Sequence, residues 1–315
     1  MNSFANRVLL AIVATLVAVD AAWSALGHFD VDAKSYGVVL LLAAALAGLG
    51  LFYARHRPDP NLAAMLFGAS FLCVFSAGAD LLNYLLLTVA GRPIDVALAR
   101  IDSAMGFDWR GLMGWASAHP LVNRELHRIY ETTLPQIAVL IVCLGLFGQP
   151  ERIYGFCVAL AAGAAIAIGF WTLFPSFGAF AVYHLPMNLA AKVNAALDGS
   201  YARQLQALLS HGPGHISPAA VKGLIGFPSF HTVMALLTVW YARGLPGLRW
   251  LALALNILVI VSTPVHGGHH LVDVFGGCLA AAAAVWISRR VLALAPEDRR
   301  THLIDVAEPH AFPSV

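Results

Sequence analysis

Apolar residues run through this chain in long blocks, and polar residues gather in the gaps between them. Eight blocks, at about 8–27, 36–54, 63–90, 130–148, 152–174, 229–244, 248–265 and 271–293, are rich in Ala, Leu, Val and Ile. A hydrocarbon layer of about 30 Å needs about 20 such residues in a helix. The blocks lack period-2 alternation, and lipid leaves no water to satisfy an open backbone, so they predict helices rather than barrel strands. The expected fold is an all-α, polytopic membrane bundle of about eight transmembrane helices. The sixth block is short. The first, which opens "NRVLLAIVATLVAVDAA", has the basic start of a signal peptide but a longer apolar stretch, so a retained span is expected.

Two long connections interrupt the pattern, at 91–129 and 175–228. In the first, the spacing of Trp109, Leu112 and Trp115 predicts an interfacial amphipathic helix. The second holds Lys192, Arg203 and Lys222 and leads into "GFPSFHTV" at 226–233. The expected organisation is two additional helices over 1–60, a six-helix catalytic core over 61–295 that includes both connections, and a polar cytoplasmic tail over 296–315.

Composition agrees. Of 315 residues, 59% are hydrophobic and only 11% charged, where soluble proteins carry roughly a quarter charged residues. That deficit argues against a large soluble all-α protein. A formal charge of +2 with scattered basic residues gives no case for nucleic acid. Cys73, Cys143, Cys157 and Cys278 fall inside apolar blocks without a CxxC pair and read as small buried hydrophobes. With the long loops discounted, arginine concentrates in the tails and short loops of one side, which is expected to be cytoplasmic. The motifs then face the outside or a periplasm, across a plasma (inner) membrane.

The candidate chemistry lies in "GFPSFHTV" and in "HGGHHLVD" at 266–273. His269 and Asp273 are four apart, on one face of a helix if the last span starts here. A carboxylate on one ring nitrogen fixes the tautomer and makes the other nitrogen more basic, which prepares a nucleophile or a metal ligand. Gly267 and Gly268 permit a tight turn, and Pro264 is expected to break the preceding span. Ser229 or Pro228 should start the sixth span, placing His231 in its first turn, where free N–H groups suit a phosphate. Together these fit phosphoryl transfer, with His269 attacking phosphorus and His231 serving as acid and then base. Taken alone, the cluster of His266, His269, His270 and Asp273, with His231 as a further ligand, suits a metal equally well. His266 and His270 also read as plain interfacial residues. Asp80, inside the third block with Asn83 beside it, is expected to be hydrogen-bonded glue between spans, with a functional role as the alternative. Gly276–Gly277 should permit close helix packing.

"PSFH", one intervening span and then "GGHHLVD" resemble the type 2 phosphatidic acid phosphatase superfamily of membrane enzymes, most closely its inositol phosphorylceramide synthase-like subgroup. The segment "FDWRGLMGWASAHPLVNRELHRIYETTLPQ" also looks like one that bacterial members carry before their core. The resemblance implies a six-helix core, a nucleophilic His269, an orienting Asp273, a general acid His231, and Ser229 in a phosphate cradle. Two expected cations are missing: "FPSFGAF" at 174–180 stands where a Lys-x6-Arg-Pro motif would be, and Thr263 where an arginine would precede the nucleophile. Lys222 and Arg203, with His270, are the substrate-binding candidates in their place, and Lys192 and Arg128 are further ones. The expected function is a membrane lipid phosphate phosphatase working through a phosphohistidine, with a lipid monoester or pyrophosphate as substrate and without cofactor or metal. The alternatives are a lipid headgroup phosphotransferase using the same intermediate, a metal-dependent membrane enzyme, and a non-catalytic membrane protein.

Overall fold

Aspartates and prolines mark where many of the helices begin. A computed structural model describes residues 3–183, 185–186, 189, 192–193, 208, 210–220 and 223–295. Its helices are α1 (Ser3–Gly27), α2 (Ala33–Arg55), α3 (Pro60–Leu86), α4 (Asp95–Ala104), α5 (Trp109–Ala118), α6 (Pro120–Glu131), α7 (Thr133–Leu146), α8 (Pro150–Leu173), α9 (Phe230–Ala242), α10 (Leu248–His266) and α11 (Leu271–Leu292). Asp32 and Asp59 cap α2 and α3 through their side chains, and proline opens α3, α6 and α8, where its missing N–H costs nothing. Among the described residues there is no strand, only an isolated bridge between Val31 and Ile216.

The protein is an all-α, multi-pass membrane bundle. Six described helices (α1, α2, α3, α8, α10 and α11) are long and apolar enough to cross a membrane. The fourth expected span, 130–148, is α7 with the last two residues of α6, and α6 and α7 meet at a 48° bend. The sixth, α9, has only 13 residues. α8 is buried on nearly every side and packs against α3, α9 and α11, as befits a helix apolar all round. Small residues let its neighbours approach: a Cβ on Gly163 would lie 2.7 Å from Val233 of α9, and one on Gly68 of α3 would lie 2.6 Å from Ile153 of α8. Outward-facing Leu41, Val261 and Leu279 remain exposed, as lipid contact requires.

Several details differ from the sequence pattern. α10 continues past Pro264 to His266. Trp109 is buried, and its Nε1 donates to the Pro264 carbonyl at 2.9 Å. Cys278 faces outward rather than into the core, and the described cysteines are all free. Asp80 is exposed on α3. Asp20 of α1 is the carboxyl that reaches α3: its Oδ2 is 3.2 Å from where a Cβ on Gly78 would stand. The first two helices are tied to the loop that precedes α9. Asp32 N donates to the Ile216 carbonyl, Ile216 N to the Asp30 carbonyl, and Ser217 Oγ to Asp32 Oδ2 at 3.0 Å.

Candidate active site

Both histidine motifs meet at one end of the bundle. The chain enters α9 over a cis Phe227–Pro228 peptide. Ser229 is the N-cap, and its Oγ accepts from Thr232 N at 3.4 Å and from Thr232 Oγ1 at 3.2 Å. Ser229 N donates to the Asp273 carbonyl at 2.9 Å, which ties the start of α9 to the first turn of α11. Gly277 makes this approach possible, since a Cβ there would lie 2.6 Å from the Ser229 carbonyl oxygen. The expected packing role of the glycine pair is what the geometry requires.

His231, in the first turn of α9, has its Nδ1 3.0 Å from the hydroxyl of Tyr130, and the two rings stack at 4.4 Å. His269, just before α11, has its Nδ1 3.1 Å from Asp273 Oδ2, and the same oxygen accepts from His270 N at 2.9 Å. Each imidazole thus has its Nδ1 engaged, which directs its chemistry to Nε2. The ring centroids of His231 and His269 are 6.4 Å apart, at 67°. Rings this close bring both imidazoles within reach of one small group, whose reacting atoms approach to about 3–3.5 Å. Gly267 keeps the space narrow: a Cβ would lie 2.6 Å from both the His269 ring and the Tyr130 hydroxyl.

A second layer supports this pair. Asp95 and Asp102 of α4, two helical turns apart, are both buried. Asp102 accepts from Leu271 N at 2.9 Å and Val272 N at 3.0 Å, so a carboxylate from another helix caps α11. Asp95 Oδ1 accepts from Ser176 Oγ, Phe177 N and Gly178 N at 2.7–3.1 Å. Burial pushes its carboxyl above the usual range, against the pull of these donors and of His270. The Ala179 N to Gly268 carbonyl bond, at 2.6 Å, then joins the 176–179 turn to the turn that carries His269.

His231, His269, Asp273 and Ser229 come together here. His270 does not line the site as a ligand would: it is fully buried, with Nδ1 3.3 Å from Asp102 Oδ2 and Nε2 3.8 Å from Asp95 Oδ1. His266 is buried against His127, ring centroids 5.0 Å apart. Among the described residues no group of three or more His, Cys, Asp or Glu side chains converges to hold a metal. Lys222 and Arg203 lie outside the described residues. Arg128 is paired with Glu125 on an exposed face of α6, and Lys192 is exposed. Thr263 is buried and donates to the Val259 carbonyl. Sequence reasoning missed Tyr130, Asp95 and Asp102. The seven-residue spacing of the two aspartates was the available signal; for Tyr130, 101 residues from its partner, there was none.

Fold and site together define a multi-pass membrane protein with a paired-histidine, carboxylate-oriented centre at one end of its bundle. The sequence profile of the PAP2 superfamily matches residues 96–287, from α4 into α11. The chain belongs to the PAP2 superfamily, a group of phosphatase-like enzymes of phosphoryl transfer and hydrolysis. Neither the curated proteins nor the solved structures gave a match.

Proposed function

We propose that this protein is an integral-membrane lipid phosphate phosphatase that hydrolyses a lipid phosphomonoester or pyrophosphate through a phosphohistidine. The observation that carries the reading is the pair of imidazoles 6.4 Å apart, each with Nδ1 engaged. Asp273 accepts from His269 Nδ1–H, so the Nε2 lone pair attacks phosphorus. The bond from phosphorus to the leaving oxygen breaks, and that oxygen takes the proton on His231 Nε2. Water then gives a proton to His231 Nε2 as its oxygen attacks phosphorus, the N–P bond breaks, and phosphate leaves with both histidines restored. The Tyr130 hydroxyl accepts from His231 Nδ1–H and keeps Nε2 as the atom that loses and regains the proton.

The site is proposed to face the outside or periplasm of a plasma (inner) membrane. At the opposite end of the bundle, Arg243 stands over Trp240, Arg249 over Trp250 and Arg290 over Trp286, at 3.4–5.6 Å. The tryptophans suit either membrane interface, and the arginines favour the cytoplasmic one.

A second reading, headgroup transfer as in inositol phosphorylceramide synthases, has its own support. Where the classical pattern expects cations, this chain has buried Thr263 and a turn that binds the internal carboxylate of Asp95. A phosphodiester monoanion needs fewer cations than a phosphate dianion. Purified protein given labelled lipid phosphate, or a phospholipid donor with and without inositol or glycerol, tests both. Phosphate release that is lost in His269→Ala supports the phosphatase, and acceptor-dependent product supports the transferase. Full activity of His269→Ala on every substrate would rule out both.

A further inference from the structure

His270 was expected to touch substrate, yet its ring is sealed between two carboxylates of another helix. Asp102 makes three contacts around the start of α11: it accepts from Leu271 N and Val272 N and lies 3.3 Å from His270 Nδ1. His270 N in turn donates to Asp273 Oδ2, the oxygen that holds the His269 ring. Two histidine–aspartate pairs therefore stand in tandem and share one helical turn. On the far side of His270, Asp95 lies 3.8 Å from Nε2 and anchors the 176–178 turn. Ala179 N, next along that turn, bonds the Gly268 carbonyl, one residue before the nucleophile. Gly178 and Gly268, at φ +82° and +63°, allow the two turns to touch; a side chain on Gly178 would strike the Gly268 carbonyl. Trp109 closes the other end by donating to the Pro264 carbonyl. The segment 264–272 is thus held at both ends by α4 and α5, elements that contribute nothing to the reacting pair itself.

We propose that Asp102 and His270, backed by Asp95, are the positioning residues of the nucleophile: they fix the first turn of α11 and so aim His269 Nε2 into the space before His231. The proposal rests on His269 as the nucleophile. A buried carboxylate needs full hydrogen bonding to be tolerated, and here its donors are the very backbone groups that orient His269. With α11 beginning at Leu271, Asp102 meets that demand through Leu271 N and Val272 N. The arrangement converts helix capping into control of a side-chain direction.

The test uses the full-length protein in nanodiscs. Asp102→Ala and His270→Ala are each expected to lower kcat by about 10–100-fold, the size of effect seen when an orienting partner of a reactive imidazole is removed. KM should stay within about twofold if the two act on the direction of His269 and not on substrate. Asp102→Asn, which keeps an acceptor for the backbone, should recover part of the loss. The double variant should be little worse than either single one, since the two act as a unit. A raised KM at unchanged kcat would return His270 to substrate binding and overturn the proposal, as would losses that multiply in the double variant. A second readout needs no substrate. In protein with 15N-labelled histidine, the ring signals of His269, assigned by their absence in His269→Gln, should move in Asp102→Ala although Asp102 does not touch that ring. Unmoved signals would overturn the proposal whether or not the protein hydrolyses lipid phosphates, and moved signals without lipid phosphate turnover would count against the proposed function alone.

Discussion

At the scale of single residues, the deciding question is which ring nitrogen each histidine leaves available. Asp273 and Tyr130 answer it for His269 and His231. His269→Ala is expected to abolish turnover. Asp273→Asn should leave the geometry but misorient the imidazole and lower kcat steeply, by up to about 10⁴, the loss found for the equivalent change in a serine protease triad. Tyr130→Phe should lower kcat by about 10-fold or more through His231, and least with an activated aryl phosphate, whose leaving group needs no proton; equal losses on both substrates would refute the link between Tyr130 and proton transfer. His269 and Asp273 were legible in the sequence because a spacing of four is a local, helical fact. Tyr130 and Asp102 were not, because they act on partners more than 100 residues away. A polar residue in an amphipathic segment has no partner that spacing can name.

Among the elements, the long spans were readable from apolar length alone, since lipid imposes that length. The short α9 was readable too, from its brief apolar block and its Ser229 cap; the bend between α6 and α7 was not, because it is fixed by a contact, Tyr130 at the end of α6 leaning on His231. Gly277 gives a test of the contact between the starts of α9 and α11. A Cβ there meets the backbone carbonyl of Ser229, which cannot swing aside, so Gly277→Ala should push α9 from α11, lower the melting temperature and cut kcat by about 10-fold or more. An unchanged enzyme would show that the two helix starts need not touch. The clamp between the α1–α2 turn and the 215–217 segment makes a pH prediction. Hydrogen bonds from Ser35 and Ser217 hold the Asp32 carboxyl down at about 2, against an ordinary value of 3.8. A lowered carboxyl favours the folded clamp while ionised. Its contribution is therefore complete above the ordinary value and is lost as pH falls through about 2. Hydrogen-exchange protection of the Asp32 and Ile216 amides should fall across that window, and Ser217→Ala should move the fall to higher pH. Protection that is flat with pH would remove Asp32 from the clamp.

For the whole molecule, hydropathy gave a membrane bundle and motif order gave a superfamily, but neither brought α4 beneath the turn that carries His269. That requires tertiary structure, and it makes the polar connection at 91–129 part of the site rather than a link between spans. The sidedness of the bundle is open to a direct check: in protein whose native cysteines are replaced, an impermeant maleimide should label His211→Cys from outside intact cells and Arg249→Cys only after permeabilisation. The reverse pattern would turn the site toward the cytoplasm. The central claim is that a phosphoryl group passes through His269 between two imidazoles 6.4 Å apart. Its most direct test is to quench purified protein in alkali during turnover of 32P-labelled lipid phosphate and map the label. The expected result is an acid-labile, alkali-stable adduct on the peptide that contains His269, absent in His269→Ala. No adduct during measurable turnover, or label on another residue, would contradict the account.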